Sequence, residues 1–390
     1  MRAKQLCLIL ITAAQLLGGA VELSSAHAAG THVCVPAGAW VIPGREVRQE
    51  RVFKNLVKHD VVLLGESHDE AEHHRWQLDT IAALFGHRPG MVLGFEMFPR
   101  SVQPVLDRWT KGELDEATFL REVDWQRSWG FDSALYMPLF HFARMHRLPM
   151  VALNIDREAS RRIAQRGLAA LGKEREGVGD PAPASLSYRD RLFEVFKTHS
   201  AEGAEPNVDS EQFSHFVEAQ IFWDRAMAEA IDGALRNKPR PLVIGIMGSG
   251  HVEYGYGVVH QLATLHVSNV ATALPWNSGA DCSRPDPKIA NLLFGSAPPT
   301  ATRTPPPRLG VVVGPAESGV TIEQVIPQSV AEATSLRVGD VIETAAGVSV
   351  RQPADLTAVI KRQAPGTWLP LSVRRGEAIQ EMVAHFPADR

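Results

Sequence analysis

Two Gly-x-x-His tetrads carry the most chemistry in this chain, Gly65-Glu66-Ser67-His68 and Gly248-Ser249-Gly250-His251. Each directly follows an apolar run, Val61–Leu64 in the first case and Pro241–Met247 in the second. A further acid, Glu96, follows the apolar run Met91–Phe95. Imidazole nitrogens and carboxylate oxygens ligate zinc, manganese or iron, and serve equally as acid–base groups beside a bound substrate. Neighbouring glycines permit tight turns and close backbone approach. Glu66, His68, Glu96 and His251 are therefore expected to converge on one small volume. Around a single divalent ion such as Mn, Co or Zn, a carboxylate there would activate metal-bound water for hydrolysis. The plainer role for Ser67 or Asp69 is to cap the helix that follows and carries His73 and His74.

The elements that must position these groups read as strands alternating with helices. Strands are expected at 61–64, 91–95, 149–153 and 241–247, and helices at about 70–84, 102–109, 133–146, 156–171 and 210–235. Alternation of this kind predicts an α/β fold, a layered α/β domain on a mainly parallel sheet. Ligand sites in such sheets form beyond the carboxyl ends of the strands, where the two tetrads and Glu96 fall. Asn154 and Asp156, after the third strand, are expected to frame the same cleft, with Asp156 also suited to an N-cap. Phe213, Phe216, Val217, Gln220, Trp223 and Met227 fall at helical spacing and most should pack on the sheet. Gln220 and Asp224, one turn apart, face either the cleft or a neighbouring helix. The stretch 172–185 reads as a surface loop.

With 390 residues, 45% of them hydrophobic, the chain is long enough for two or more domains. A formal net charge of −4, with no basic stripe, offers no electrostatic case for a nucleic-acid partner. Met1–Gln5 is short and positive, an apolar run extends from Leu6 to about Leu17, and Ala26-His27-Ala28 supplies small residues for cleavage. That order predicts a signal peptide over 1–28, a periplasmic or secreted location, and no stable transmembrane segment after cleavage. Cys34 lacks a lipobox before it; Cys34 and Cys282 are expected either to pair as a disulfide or to remain separate thiols. A proline-rich linker at 296–307, with Pro298-Pro299 and Pro305-Pro306-Pro307, divides a main domain at 29–295 from a small one at 308–387.

The blocks Val61–His74, Val92–Pro99, Pro149–Asn154, Phe213–Ala228 and Gly245–Val258 resemble the ChaN-like haem-binding uptake family, within the Tiki, TraB and erythromycin-esterase superfamily. The resemblance covers most of residues 55–265. It implies an α/β domain with a polar cleft and a part in haem or iron uptake at the cell envelope. Related branches are metal-dependent peptidases or other hydrolases that use the same histidines and glutamates, and a non-enzymatic periplasmic scaffold is a third expectation. Haem needs a flat apolar crevice and an axial donor such as histidine or tyrosinate. His251, with Tyr254 and Tyr256 close behind it, provides the nearest donors, and His73 with His68 and His74 forms a second cluster. Of Trp125, Trp129, Phe131 and Tyr136, some would line an apolar pocket and most would pack in the core. The chain has no Cys-x-x-Cys-His, Gly-x-Ser-x-Gly or His-Glu-x-x-His tract.

Residues 308–387 resemble a PDZ domain, a small β-rich module. Leu309-Gly310-Val311-Val312 stands where that family carries its carboxylate-binding loop and following strand, and Leu336–Ile342 is the most specific stretch. The resemblance implies capture of a protein or peptide C-terminus by strand addition. Arg308 at the first loop position is a departure that would weaken or alter carboxylate binding.

Overall fold

The computed structural model describes residues 35–43, 45–172, 175, 177–199, 206–277, 285–297 and 307–388. The expected signal peptide, Cys34, Cys282 and most of the expected linker lie outside them.

The first domain opens with β1 (Trp40–Ile42), β2 (Arg45–Val47) and α1 (Gln49–Leu56). Then come β3 (Val61–Glu66), α2 (Ala71–His87), β4 (Met91–Pro99), α3 (Gln103–Thr110), α4 (Glu116–Glu122), α5 (Trp125–Ser128), α6 (Ser133–Met145), β5 (Met150–Asn154) and α7 (Arg157–Arg166). The helices α8 (Leu186–His199) and α9 (Glu211–Leu235) precede β6 (Leu242–Gly248), α10 (Val258–Thr264), β7 (Val270–Asn277) and β8 (Leu292–Ser296). The sheet order is β2-β1-β8-β7-β3-β6-β4-β5. All pairings from β8 to β5 are parallel, and β1 joins that edge antiparallel.

Residues of β3, β4 and β6 are buried throughout because helices cover both sheet faces, the setting in which parallel strands read as continuous apolar runs. The period of two still sorts their side chains. Val62, Leu64, Leu93, Phe95, Ile244 and Ile246 join the core shared with α2, α3 and α6. Val61, Leu63, Val92, Val243 and Met247 join the core shared with α9 and α10. Helix α9 starts at Ser210, whose hydroxyl accepts the Phe213 amide at 3.2 Å.

The chain leaves β3, crosses to β4 and β5, and returns through α8 and α9 to insert β6 between β3 and β4. Cα registers place Glu66 opposite Gly248 and Phe95 opposite Ile246. Both tetrads and Glu96 therefore meet at adjacent strand ends. Among the described residues no helix is long and apolar enough to cross a membrane.

The second region is an antiparallel sheet with its own core, built around Leu309, Val320, Ile342, Leu356, Leu371 and Val373. Its strands are β9 (Val311–Ala316), β10 (Gly319–Val325), β11 (Val341–Ala345), β12 (Val348–Ser349), β13 (Trp368–Arg375) and β14 (Ala378–His385). Helices α11 (Val330–Ala333) and α12 (Pro353–Lys361) complete it. In the order β14-β13-β11-β10-β9, β9 stands at an edge. Leu309 is buried and its carbonyl accepts the Ala331 amide at 2.7 Å. Gly310 has φ +84°, and a Cβ there would lie 2.2 Å from Ser329 Cβ, so the turn before β9 requires glycine. Val312 is exposed on the open strand.

Candidate functional site

Strand parity separates the two glutamates. Glu66 continues the Val62–Leu64 series toward α2 and α6, whereas Glu96 shares the parity of Val92 and faces α9. Each becomes the centre of its own buried network.

On the α2 and α6 face, Glu66 Oε1 lies 3.0 Å from His68 Nδ1 and accepts the Tyr136 hydroxyl at 2.7 Å. Its Oε2 lies 3.3 Å from His74 Nδ1. His74 also has Gln77 Oε1 at 3.2 Å from Nδ1 and the His68 carbonyl at 3.1 Å from Nε2. Acceptors at both ring nitrogens favour the doubly protonated ring. Burial opposes that charge, but Glu66 and these acceptors outweigh it and raise the His74 pKa. Burial likewise pushes the Glu66 carboxyl up, and the contacts with His68 and His74 overcome it, bringing it to about 2. Glu66 is thus an anion, with His74 as its buried counter-charge.

On the α9 face, His251 Nδ1 lies 2.6 Å from Asp224 Oδ1, and Nε2 lies 3.4 Å from Glu96 Oε1. The latter is an ion pair without hydrogen-bond alignment. Glu96 Oε2 accepts the Gly248 amide at 2.6 Å, and Asp224 Oδ2 accepts the Tyr188 hydroxyl at 2.7 Å. Burial works against an imidazolium here, yet the two carboxylates raise His251 to about 10.

The four residues expected around one ion therefore divide into two pairs, Glu66 with His68 and Glu96 with His251. Among the described residues no group of three or more His, Cys, Asp or Glu is placed to hold a metal ion. The expected single-ion centre is not assembled among the described residues: opposite strand parity separates the two carboxylates, and each stands against a histidine of its own, although His68 and Glu96 both border Gly248.

The expected haem donors stand in the following surroundings. His251 has a carboxylate against each ring nitrogen, Asp224 at Nδ1 and Glu96 at Nε2. His73 Nδ1 accepts the Ser67 amide at 2.9 Å, while burial and the neighbouring His74 lower its pKa to about 4. That leaves a neutral ring whose acceptor nitrogen is already used. Tyr254 and Tyr256 stack on one another at 5.2 Å, with Arg191 over Tyr254. Burial and Asp286 push the Tyr254 phenol up, away from the tyrosinate that binds iron.

A cleft of about 560 Å³ opens beyond β3, β4 and β5. Its lining includes His68, Trp129, Phe131, Asn154 and Trp223, but none of His73, His251, Tyr254 or Tyr256. The His68 side chain is 29% exposed against 11% for His251, so of the two tetrad histidines it is the one open to a ligand. Its ring packs on Trp129 and Phe131, with centroids 4.6 and 5.1 Å apart. Asn154 lines the cleft as expected and donates to the Glu96 carbonyl at 2.8 Å; Asp156 instead accepts the Ser101 hydroxyl. Trp125 and Tyr136 are core residues. Sequence reasoning singled out Asp224 without its partner, and gave no role to Tyr188. The one available signal was the helical spacing that placed Asp224 on the side of α9 facing the strand ends.

A family model described as haem-binding uptake, Tiki superfamily, ChaN matches residues 52–262, and a PDZ model matches residues 307–384. ChaN of Campylobacter jejuni, solved with cofacial haem binding, is similar at 18% identity and TM-score 0.51, covering 65% of this chain and 95% of that chain. The HtrA3 PDZ domain bound to a phage-derived ligand is 20% identical with TM-score 0.19, covering 20% of this chain and 83% of that one. The HtrA-type protease AlgW with a decapeptide is 20% identical with TM-score 0.20, covering 22% of this chain and 30% of that one. No curated protein matched. The first match spans more than half of the sequence: this chain belongs to the ChaN haem-binding uptake family of the Tiki superfamily, and carries a PDZ domain after the family's α/β fold.

Proposed function

We propose that this chain binds haem in the cleft beyond β3, β4 and β5, with His68 as the axial donor. The observation that carries the reading is the pairing of His68 Nδ1 with Glu66 at 3.0 Å, with the ring standing at the cleft. Burial opposes a charge on this ring, but Glu66 and Glu96 outweigh it and raise the His68 pKa, so Nε2 would release its proton on taking up iron. A carboxylate on the far nitrogen orients a ligating imidazole and strengthens it as a donor. Trp129, Phe131 and Trp223 supply the apolar surface that a porphyrin face needs. When bound, haem would supply the iron; the protein supplies the oriented imidazole and the apolar walls.

The exported, envelope-bound role in haem or iron uptake rests on the leader-like N-terminus and on the family. In this reading the second domain engages a protein or peptide C-terminus along the open edge of β9, beginning at Leu309, Gly310, Val311 and Val312. The test is a titration of the full mature chain with haem while the Soret band is followed. A saturable red shift at one haem or more per chain supports the reading, and a featureless linear rise refutes it.

A second measurement follows from Gly248. A Cβ at that position would lie 3.0 Å from His68 Cε1 and 3.3 Å from Nε2. Gly248 has φ −56° and ψ 139°, values alanine adopts without strain. Gly248→Ala is therefore expected to push the His68 ring aside and weaken haem binding about tenfold, equivalent to ~1.4 kcal/mol. The free energy of denaturant unfolding should stay within ~1 kcal/mol of wild type. Unchanged haem affinity in this variant would argue against His68 as the donor.

A further inference from the structure

We propose that Arg157 and Arg161 form an anion-selecting edge to the cleft, so that it takes a planar ligand bearing paired carboxylates over its neutral counterpart. The inference rests on the haem reading and specifies which end of the ligand meets which wall.

Both arginines line the cleft, and no carboxylate is among the residues that line it. They lie four residues apart on α7, on one helix face and about 5–6 Å apart at Cβ. Haem carries its two propionates side by side on one edge of the ring, a spacing that two guanidiniums one helical turn apart can meet. Arg–carboxylate contacts are charge-assisted and frequently bidentate.

The existing partners leave both groups available. Arg157 Nη1 donates to the Arg127 carbonyl at 3.1 Å, which steadies the guanidinium and uses one of its five N–H groups. Arg161 Nη1 donates to Glu158 at 2.7 Å, with both side chains more than half exposed. An exposed pair of this kind holds weakly, so a ligand carboxylate can compete for it. Arg157 and Arg161 stand between the cleft and an adjoining groove that they line together with Asp124, Asp156 and Glu158, so a ligand carboxylate competes with those acids for them. The aromatic residues and His68 thus receive the ring, and α7 receives its charged edge.

The test compares iron protoporphyrin IX with its dimethyl ester on the full chain, reading affinity from the Soret change. Wild type should bind the diacid about a hundredfold more tightly, roughly tenfold for each arginine. In the Arg157→Gln/Arg161→Gln double variant the diacid should fall to the affinity of the ester, with ester binding unchanged. The Arg→Lys pair should recover part of the preference, since lysine keeps the charge and loses the fork. Equal affinities in wild type, or a loss in the Gln variant that affects both ligands alike, overturns the proposal. No saturable change with either ligand overturns the haem reading, and the selection with it.

Discussion

His68→Ala is expected to lower haem affinity at least about a hundredfold, a loss of ~2.7 kcal/mol or more. Three observations set that size. His68 is the tetrad histidine that lines the cleft, its Nδ1 is committed to Glu66, and its ring packs on Trp129 and Phe131. Removing the imidazole takes away the axial donor and opens a gap beside two aromatic walls, so added imidazole should restore part of the Soret shift. Tyr254→Phe and Tyr256→Phe should bind haem within about twofold of wild type, because neither residue lines the cleft. The three variants are best compared by titration on one day's haem stock, with circular dichroism as the check on folding. A His68→Ala chain that binds normally, alongside a Tyr254 or Tyr256 variant that does not, would move the ligand to the turn at residues 253–256 after the second tetrad.

The largest effect on stability is expected from Asp224→Ala, a loss of about 3–5 kcal/mol in denaturant unfolding. That is the usual consequence of removing one partner of a buried ion pair. The substitution leaves His251 facing Glu96 alone and strips the Tyr188 hydroxyl of its acceptor. Asp224→Asn keeps an acceptor for Tyr188 and should recover part of the loss.

A pH signature accompanies it. The folded His251 pKa, about 10, lies above the unfolded value of 6.5. Its contribution is therefore fully present below pH 6.5 and is lost as pH rises through 10. Wild type minus Asp224→Ala should accordingly give a stability difference that shrinks across pH 6.5–10. A difference that stays flat over that window would mean that His251 is not held as a cation.

Much of the architecture was legible in the residue order. The apolar runs at 61–64, 91–95, 149–153 and 241–247 each became a buried strand, because a parallel sheet covered on both faces demands continuous apolar stretches. Strand β4 runs on to Pro99 beyond the expected 95, since Glu96 is accommodated in a buried network instead of ending the strand. The short strands β1 and β2 and the strands β7 and β8 gave weaker signals: β1 and β2 are three residues each, and β7 is interrupted by Pro275. Helix α8 carries charges along its length and hid beside the polar loop before it. The turn before β9 was readable from Gly310, where only glycine fits.

The functional residues divide along a different line. By itself the sequence determined that histidines and carboxylates stand at the ends of apolar strands, because local pattern dictates strand ends and glycine turns. It also held the parity that sets Glu66 and Glu96 on opposite faces, as a strand alternates its side chains with period two. Only the tertiary structure decided that β6 inserts between β3 and β4, bringing the second tetrad against the first across 183 residues of chain. The same packing decided which helix meets each face. Helices α2 and α6 bring His74 and Tyr136 to Glu66, and α9 brings Asp224 to His251. Two histidines with the same motif thereby acquired different chemistry. His251 is enclosed between two carboxylates, while His68 pairs with one and turns toward the cleft, because burial and partners follow from packing that sequence order does not place.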